Sequence, residues 1–314
     1  MDESPDTNPH ALDPTPPFSR IRCNGLNITH QQLGQGRPIL LIMGIGAQMI
    51  FWPTPFCQLL ADQGFRVIRY DHRDVGESTS LDQAGVPDLR AMVSRRAMGL
   101  KIQAPYTLED LAQDAVALLD ALDIDRAHVV GASMGGMVAQ SMAIHHPQRL
   151  LSLTSMMSTT GARRHAVADL GTLGSLLTAW PTDAQAYADR AVEFLHMVGG
   201  TRWPLDEAHA RKLALQAHAR GRNPAGFVRH FAAICASGSR ERLLPQVRVP
   251  TLVIHGTKDP LVPLRGGRAT ARAIPHARML ELEGMGHSLP PASWPELAQA
   301  ILDHAGLHNS EASG

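Results

Sequence analysis

The chain has 314 residues, 44% of them apolar, and its 29 basic and 29 acidic side chains leave no formal net charge. That length can bury a large core in one domain or two, and a neutral balance supplies no field to draw in nucleic acid or an anionic membrane, so neither is expected as a partner. Cys23, Cys57 and Cys235 are too few and too scattered for a disulfide framework, and reduced thiols acting as apolar filler in a reducing compartment are expected instead.

The chain opens with MDESPDTNPHALDPTPPF, an acidic, proline-rich stretch without the basic start and apolar run of a secretory signal. Residues 1–17 are expected to be a disordered leader. RIRCNGLNITHQQLG then reads as two short strands around the turn Asn24-Gly25. RPILLIMG is a continuous apolar run that fits a strand buried on both faces. The run from Ile39 to Met43 falls far short of the ~20 residues of a membrane-spanning helix. No membrane span is therefore expected, and a cytoplasmic location is.

PTPFCQLLADQG reads as a helix ending at Gly64, FRVIRYDHRD as a strand with a polar tip, and Leu81–Pro105 as a long irregular connection. TLEDLAQDAVALLDAL has helical periodicity, with Thr107 and Asp110 placed as a capping box. The strand AHVVGAS, the helix MGGMVAQSMAIHHP and the strand RLLSLTSMM follow. Strands alternating with helices up to Met157 predict an α/β fold: a mostly parallel, doubly wound sheet of about eight strands. From Ser158 to Leu244 only helical patterns occur, HARKLALQAHARG and PAGFVRHFAAICASG among them. The strand rhythm returns with VPTLVIHG and ARMLELEG, and the helix PELAQAILDHAG closes it. The expected organisation is an α/β core over residues 18–157 and 245–308, a helical cap over 158–244 inserted after strand six, and a flexible tail over 309–314.

Chemistry concentrates at Gly131-Ala132-Ser133-Met134-Gly135-Gly136. This is G-x-S-x-G between a buried strand and a helix, the context in which a serine stands clear of the sheet on a strained turn. Gly131 and Gly135 remove side chains that would collide there. A serine hydroxyl needs a base, and in this arrangement acid and histidine follow it in the chain. Asp259 comes after the strand VPTLVIHG and its turn, and His287 after ARMLELEG and its turn. Both lie beyond adjacent strand ends, where ligands bind in open parallel sheets. The 28 residues between them leave room for one crossover helix, about Leu264–Ile274, and one strand. His255 reads as a structural histidine, and His72 as a loop residue near the pocket. An oxyanion needs two backbone donors. Met134 at the helix start supplies one, and Ile45, with Gly46 as the alternative, supplies the other from the loop after PILLIMG.

These residues resemble the α/β-hydrolase superfamily over Phe18–Met157 and Val249–Gly306. YDHRDVGES resembles the D-x-R-G-x-G-x-S segment, with Asp74 where glycine is usual. PILLIMGIG resembles the strand that often ends His-Gly-x-Pro, with methionine in place of the histidine and no proline following. RVIRYDHRDVGEST, RAHVVGASMG, VPTLVI and GMGHSLP are similar to aclacinomycin methylesterase-like esterases. The resemblance implies carboxylic ester hydrolysis by a Ser-His-Asp triad, with no metal and no cofactor. In a cap, Trp180, Phe194, Met197, Trp203, Phe227 and Phe231 would line an apolar channel or pack between helices. Phe51 and Trp52 are candidate pocket walls beside the oxyanion loop.

The expected partner is a small-molecule ester, with a homo-oligomer left open. The same triad also serves carbon–carbon bond hydrolysis, thioester hydrolysis, acyl transfer, cofactor-free perhydrolysis and ligand-sensing receptors. Serine at 133 argues against epoxide hydrolases and haloalkane dehalogenases, which resemble this fold but use aspartate. HExxH is missing, and GIGAQM lacks the third glycine of a dinucleotide loop.

Overall fold

Asn24 and Gly25 both adopt positive φ, +48° and +74°, the pair of left-handed residues that a two-residue hairpin of matching twist requires. They join β1 (Ser19–Cys23) to β2 (Leu26–Leu33). The computed structural model describes residues 16–165 and 168–307. The expected leader falls outside these apart from Pro16 and Pro17, and the 309–314 tail lies wholly outside.

The continuous apolar runs become the sheet centre. β3 (Arg37–Ile42), β4 (Phe65–Tyr70), β5 (Ala127–Ala132), β6 (Leu150–Met156), β7 (Thr251–Gly256) and β8 (Arg278–Leu282) complete an eight-stranded sheet. Its order is β1-β2-β4-β3-β5-β6-β7-β8. Pairing is antiparallel at β1–β2 and β2–β4 and parallel throughout the rest. The fold is therefore the expected mostly parallel, doubly wound sheet. Alternate residues serve opposite faces. Leu40, Ile42 and Val129 pack beneath α3 (Leu108–Ala121) and α4 (Met134–His145). Ile39, Leu41 and Val130 pack against α1 (Thr54–Ala61) and α10 (Trp294–Leu307). Thr107 caps α3 reciprocally: its hydroxyl accepts the Asp110 N–H at 3.3 Å while Asp110 accepts the Thr107 N–H at 2.7 Å. The three thiols are buried and form no disulfide; burial pushes Cys23 and Cys57 up to about 11, so neither is a ready thiolate at neutral pH.

The connection read as irregular holds a helix, α2 (Leu89–Ala97). Its inward residue Met92 forms a small cluster with Ile102, Ala232 and Cys235, so tertiary packing rather than local periodicity stabilises it. Between β6 and β7 the chain forms α5 (Leu170–Leu177), α6 (Ala184–Val198), α7 (Glu207–Arg220) and α8 (Pro224–Ser237). The crossover to β8 is α9 (Leu264–Ala273). No described helix is long and apolar enough to cross a membrane. Since β4 and β5 flank β3 on opposite sides, the loops leaving β3 and β5 part company at the sheet's switch point, where such folds open a crevice.

Candidate active site

Ser133 sits between β5 and α4 at φ +57°, ψ −120°, a backbone state that a residue with a Cβ keeps only under constraint. Its N–H donates to Met156 C=O at 3.0 Å, and Ser158 Oγ donates to its C=O at 2.8 Å. The flanking glycines admit no substitute. A Cβ on Gly131 would lie 2.1 Å from Gly135 O, and one on Gly135 2.1 Å from Ile42 O.

Two loops from the far end of the sheet meet this serine. His287 Nε2 lies 3.0 Å from Ser133 Oγ, and His287 Nδ1 lies 2.6 Å from Asp259 Oδ2. Asp259 Oδ1 accepts the N–H groups of Leu261 and Val262 at 2.9 and 2.7 Å. A carboxylate only accepts, so His287 Nδ1 carries the hydrogen and the bare Nε2 faces the serine hydroxyl. His255 Nε2–H donates to Val262 C=O at 2.7 Å and braces the Asp259 turn; burial pushes its pKa down, which keeps it neutral.

The His287 loop is held by a segment that sequence reasoning missed. His287 N–H donates to Val198 C=O at 2.6 Å, and Gly286 N–H to Gly199 C=O at 3.1 Å. A Cβ on Gly286 would stand 2.0 Å from Val198 O. The glycine pairs Gly199-Gly200 and Gly284/Gly286 were the available signal, since backbones approach this closely only without side chains.

The loop after β3 passes directly over the serine: a Cβ on Gly44 would lie 3.2 Å from Ser133 Cβ. Ile45 and Met134 N–H groups have no acceptor among the described residues. Gly46, the alternative donor, has its N–H committed to His230 Nδ1 at 3.2 Å. His72 lies in the loop after β4 and is buried beside the cavity wall; its Nε2–H donates to Met43 C=O at 3.1 Å. Gln48 donates to Ala217 and Gly221 carbonyls, both at 2.7 Å. Asp71 accepts the Met49 N–H at 2.7 Å and pairs with Arg220 at 2.7 Å. The loop is thus tied to α7 and α8.

Asp74 takes φ +66°, which explains why glycine is usual at that place in the motif. The aspartate is compensated. Arg229 pairs with it at 2.6 and 2.8 Å, Tyr106 hydroxyl donates at 2.7 Å and Leu81 N–H at 2.7 Å. Burial alone would raise its pKa, but these donors outweigh burial and hold it below the usual carboxylate range.

Ser133 and His287 open into a cavity of about 230 Å³ with mostly apolar walls. Phe51 lines it, together with Met157, Leu176, Phe194, Leu195, Leu213, Leu261 and Leu289. Trp52 does not; it is fully buried and stacks on Phe56 at 5.5 Å. Three further expected wall residues are placed elsewhere. Met197 is 45% exposed. Trp203 lies under the Arg202 guanidinium at 4.4 Å and packs on the α1/α10 core. Phe227 supports Gly46, where a Cβ would come within 2.7 Å of its ring. Trp180 packs on Tyr187 and Phe194, and Phe231 on the α2 cluster. Among the described residues no group of three or more His, Cys, Asp or Glu could hold a metal ion.

The model of the alpha/beta hydrolase fold family matches residues 37–290. The chain is 33% identical over 289 residues to rhodomycin D methylesterase DnrP of Streptomyces peucetius, an alignment spanning 85% of this chain and 90% of that protein. It is 34% identical, over the same shares, to rhodomycin D methylesterase DauP of Streptomyces sp. strain C5. A meta-cleavage product hydrolase from Pseudomonas fluorescens IP01 superposes with TM-score 0.71 at 19% identity, covering 93% of this chain and 98% of that one. At that identity the superposition speaks for the fold alone.

Proposed function

The chain belongs to the alpha/beta hydrolase family and is a carboxylic ester hydrolase; from that premise we propose that it cleaves esters through an acyl-enzyme on Ser133. The observation that carries this reading is the unbroken hydrogen-bonded line from Ser133 Oγ through the His287 ring to Asp259, at 3.0 and 2.6 Å.

Ser133 Oγ attacks the acyl carbon while His287 Nε2 takes its proton. Asp259 fixes the ring's tautomer and stabilises the imidazolium. The developing oxyanion takes the N–H groups of Ile45 and Met134, with the α4 N-terminus adding its dipole. As the tetrahedral species collapses, His287 returns the proton to the departing alkoxide. A water then attacks the acyl-enzyme, with His287 again as base, and releases the acid and Ser133.

We take residues 158–244 as a cap over this site, set on the core of 18–157 and 245–308. Supporting this are the wall residues Leu176, Phe194 and Leu213 from α5, α6 and α7, and the contact of Val198 with the His287 loop. A cavity of this composition favours a largely apolar group beside the ester. The two methylesterase relatives make methyl esters the first leaving groups to test. The experiment is turnover of a graded series of methyl and nitrophenyl esters, beside a thioester and a dienoate, by wild type and Ser133→Ala. Ester turnover that depends on Ser133 supports the reading. Ester turnover unchanged in Ser133→Ala, or a preference for the thioester or dienoate, overturns it.

A further inference from the structure

One imidazole of the 158–244 insertion reaches the loop above Ser133. His230, on α8, has no exposed surface. Its Nδ1 accepts the Gly46 N–H at 3.2 Å. An amide N–H can only donate, so the hydrogen of the neutral ring sits on Nε2, which donates to Arg73 C=O at 2.9 Å. His72 grips the same loop three residues earlier, through Met43 C=O, and the two rings meet edge to face at 5.6 Å. Between these two anchored peptide groups lie only Gly44 and Ile45. Gly44 has no Cβ, and Gly46 turns at φ +60°, so within the loop the peptide that carries the Ile45 N–H is restrained by the long turn bond from Ala47 N–H to Gly44 C=O at 3.3 Å. Neighbouring contacts fix α8 itself: Arg229 holds Asp74, and Gly226 lets the helix touch that loop, where a Cβ would lie 2.2 Å from Asp74 O.

We propose that His230 is a positioning residue for the oxyanion hole: by holding the Gly46 N–H it keeps the Ile45 N–H aimed at the oxygen that forms above Ser133. This rests on Ser133 acting as the nucleophile. His230 touches no substrate. It occupies the adjacent Gly46 N–H and adds to the turn bond that orients its neighbour, so its effect falls on the transition state rather than on ground-state binding. Burial pushes His230 down to about 4 and His72 to about 3, so both rings stay neutral at working pH and the acceptor is always present.

Two substitutions separate the halves of this contact. His230→Asn places a carboxamide oxygen near the old Nδ1 and keeps an acceptor for Gly46. His230→Gln places its amide near the old Nε2 and keeps a donor for Arg73. Each keeps one of two hydrogen bonds, so similar melting temperatures are expected. Steady-state kinetics on the best ester should show kcat falling about 10- to 100-fold in His230→Gln, less than the ~100- to 1000-fold of losing an oxyanion donor outright. KM should stay within about twofold, and His230→Asn should recover kcat to within about fivefold. Equal kcat in the two variants, or a loss confined to KM, overturns the proposal. Ser133→Ala run alongside separates the two failures. If it keeps full turnover, the nucleophile reading falls. If it is inactive while both His230 variants match wild type, only the positioning role falls.

Discussion

Replacing Asp259 by asparagine isolates what the buried carboxylate does. Oδ1 is held by the Leu261 and Val262 N–H groups at 2.9 and 2.7 Å, while Oδ2 faces His287 Nδ1 at 2.6 Å. In Asp259→Asn the amide oxygen must stay on the two backbone donors, because flipping it would set an NH₂ against both. Two unsatisfied buried groups would cost ~2–6 kcal/mol in total. The NH₂ therefore faces His287 and forces the hydrogen from Nδ1 to Nε2. The ring then presents a donor to Ser133 Oγ and cannot accept its proton. The same change in a serine protease triad lowers kcat by about 10⁴, equal to ~5.5 kcal/mol of transition-state stabilisation, and a loss of 10³–10⁴ is expected here. Single-turnover kinetics on a nitrophenyl ester, with KM measured in parallel, would detect it. A kcat within tenfold of wild type at unchanged fold would refute the tautomer argument.

Other expectations follow from neighbouring groups. Arg229→Leu leaves Asp74 charged, buried and left-handed, and should cost ~3–5 kcal/mol. The double variant with Asp74→Gly removes both charges and relieves the positive φ, so urea unfolding should show a coupling of at least ~2 kcal/mol, and one under ~0.5 kcal/mol would contradict the pair's role. His72 and His230, pushed down to about 3 and about 4 by burial, bind no proton in the folded state at pH 5, whereas the unfolded chain binds both below about pH 6.5. Their contribution is complete above that pH and is lost as pH falls, at ~1.4 kcal/mol per unit for each ring. Unfolding at pH 7 and pH 5 should differ by ~4 kcal/mol from this source, with His230→Asn removing about half, and equal stability at the two pH values would be inconsistent with it. Trp52→Ala should lower stability by ~3–5 kcal/mol with ester preference unaltered, whereas Phe51→Ala should shift chain-length preference at small cost in melting temperature; the opposite pattern would reverse their placement.

What could be read from the chain was whatever a local pattern dictates. Runs such as Pro38–Ile42 are apolar at every position because both faces of the central strands are covered. The glycines around Ser133 announce a backbone crossing, and their Cβ positions would indeed fall within 2.1 Å of carbonyl oxygens. Illegible features depend on what distant segments do. Adjacent aromatics Phe51 and Trp52 look equivalent in sequence, yet the 3-10 turn Met49–Phe51 sends one to the cavity and the other under α1. Helix α2 lacks a strong local period because Met92 and a few neighbours find their partners in Ile102 and Ala104 after the helix and in the distant α8. His230 is one of 16 histidines, and its contact with Gly46 spans 184 residues. No spacing rule reaches that far. Asp74 was legible as a departure from the usual glycine, but its compensation by Arg229 was not.

The most direct test is to mix enzyme with an excess of an activated ester, quench in acid within the first turnover, and map the adduct by peptide mass spectrometry. A burst of released alcohol, with the acyl mass on the peptide that contains Ser133 and on no other, is the predicted result. Continued ester turnover with no adduct, or with the acyl group on another side chain, would contradict the account.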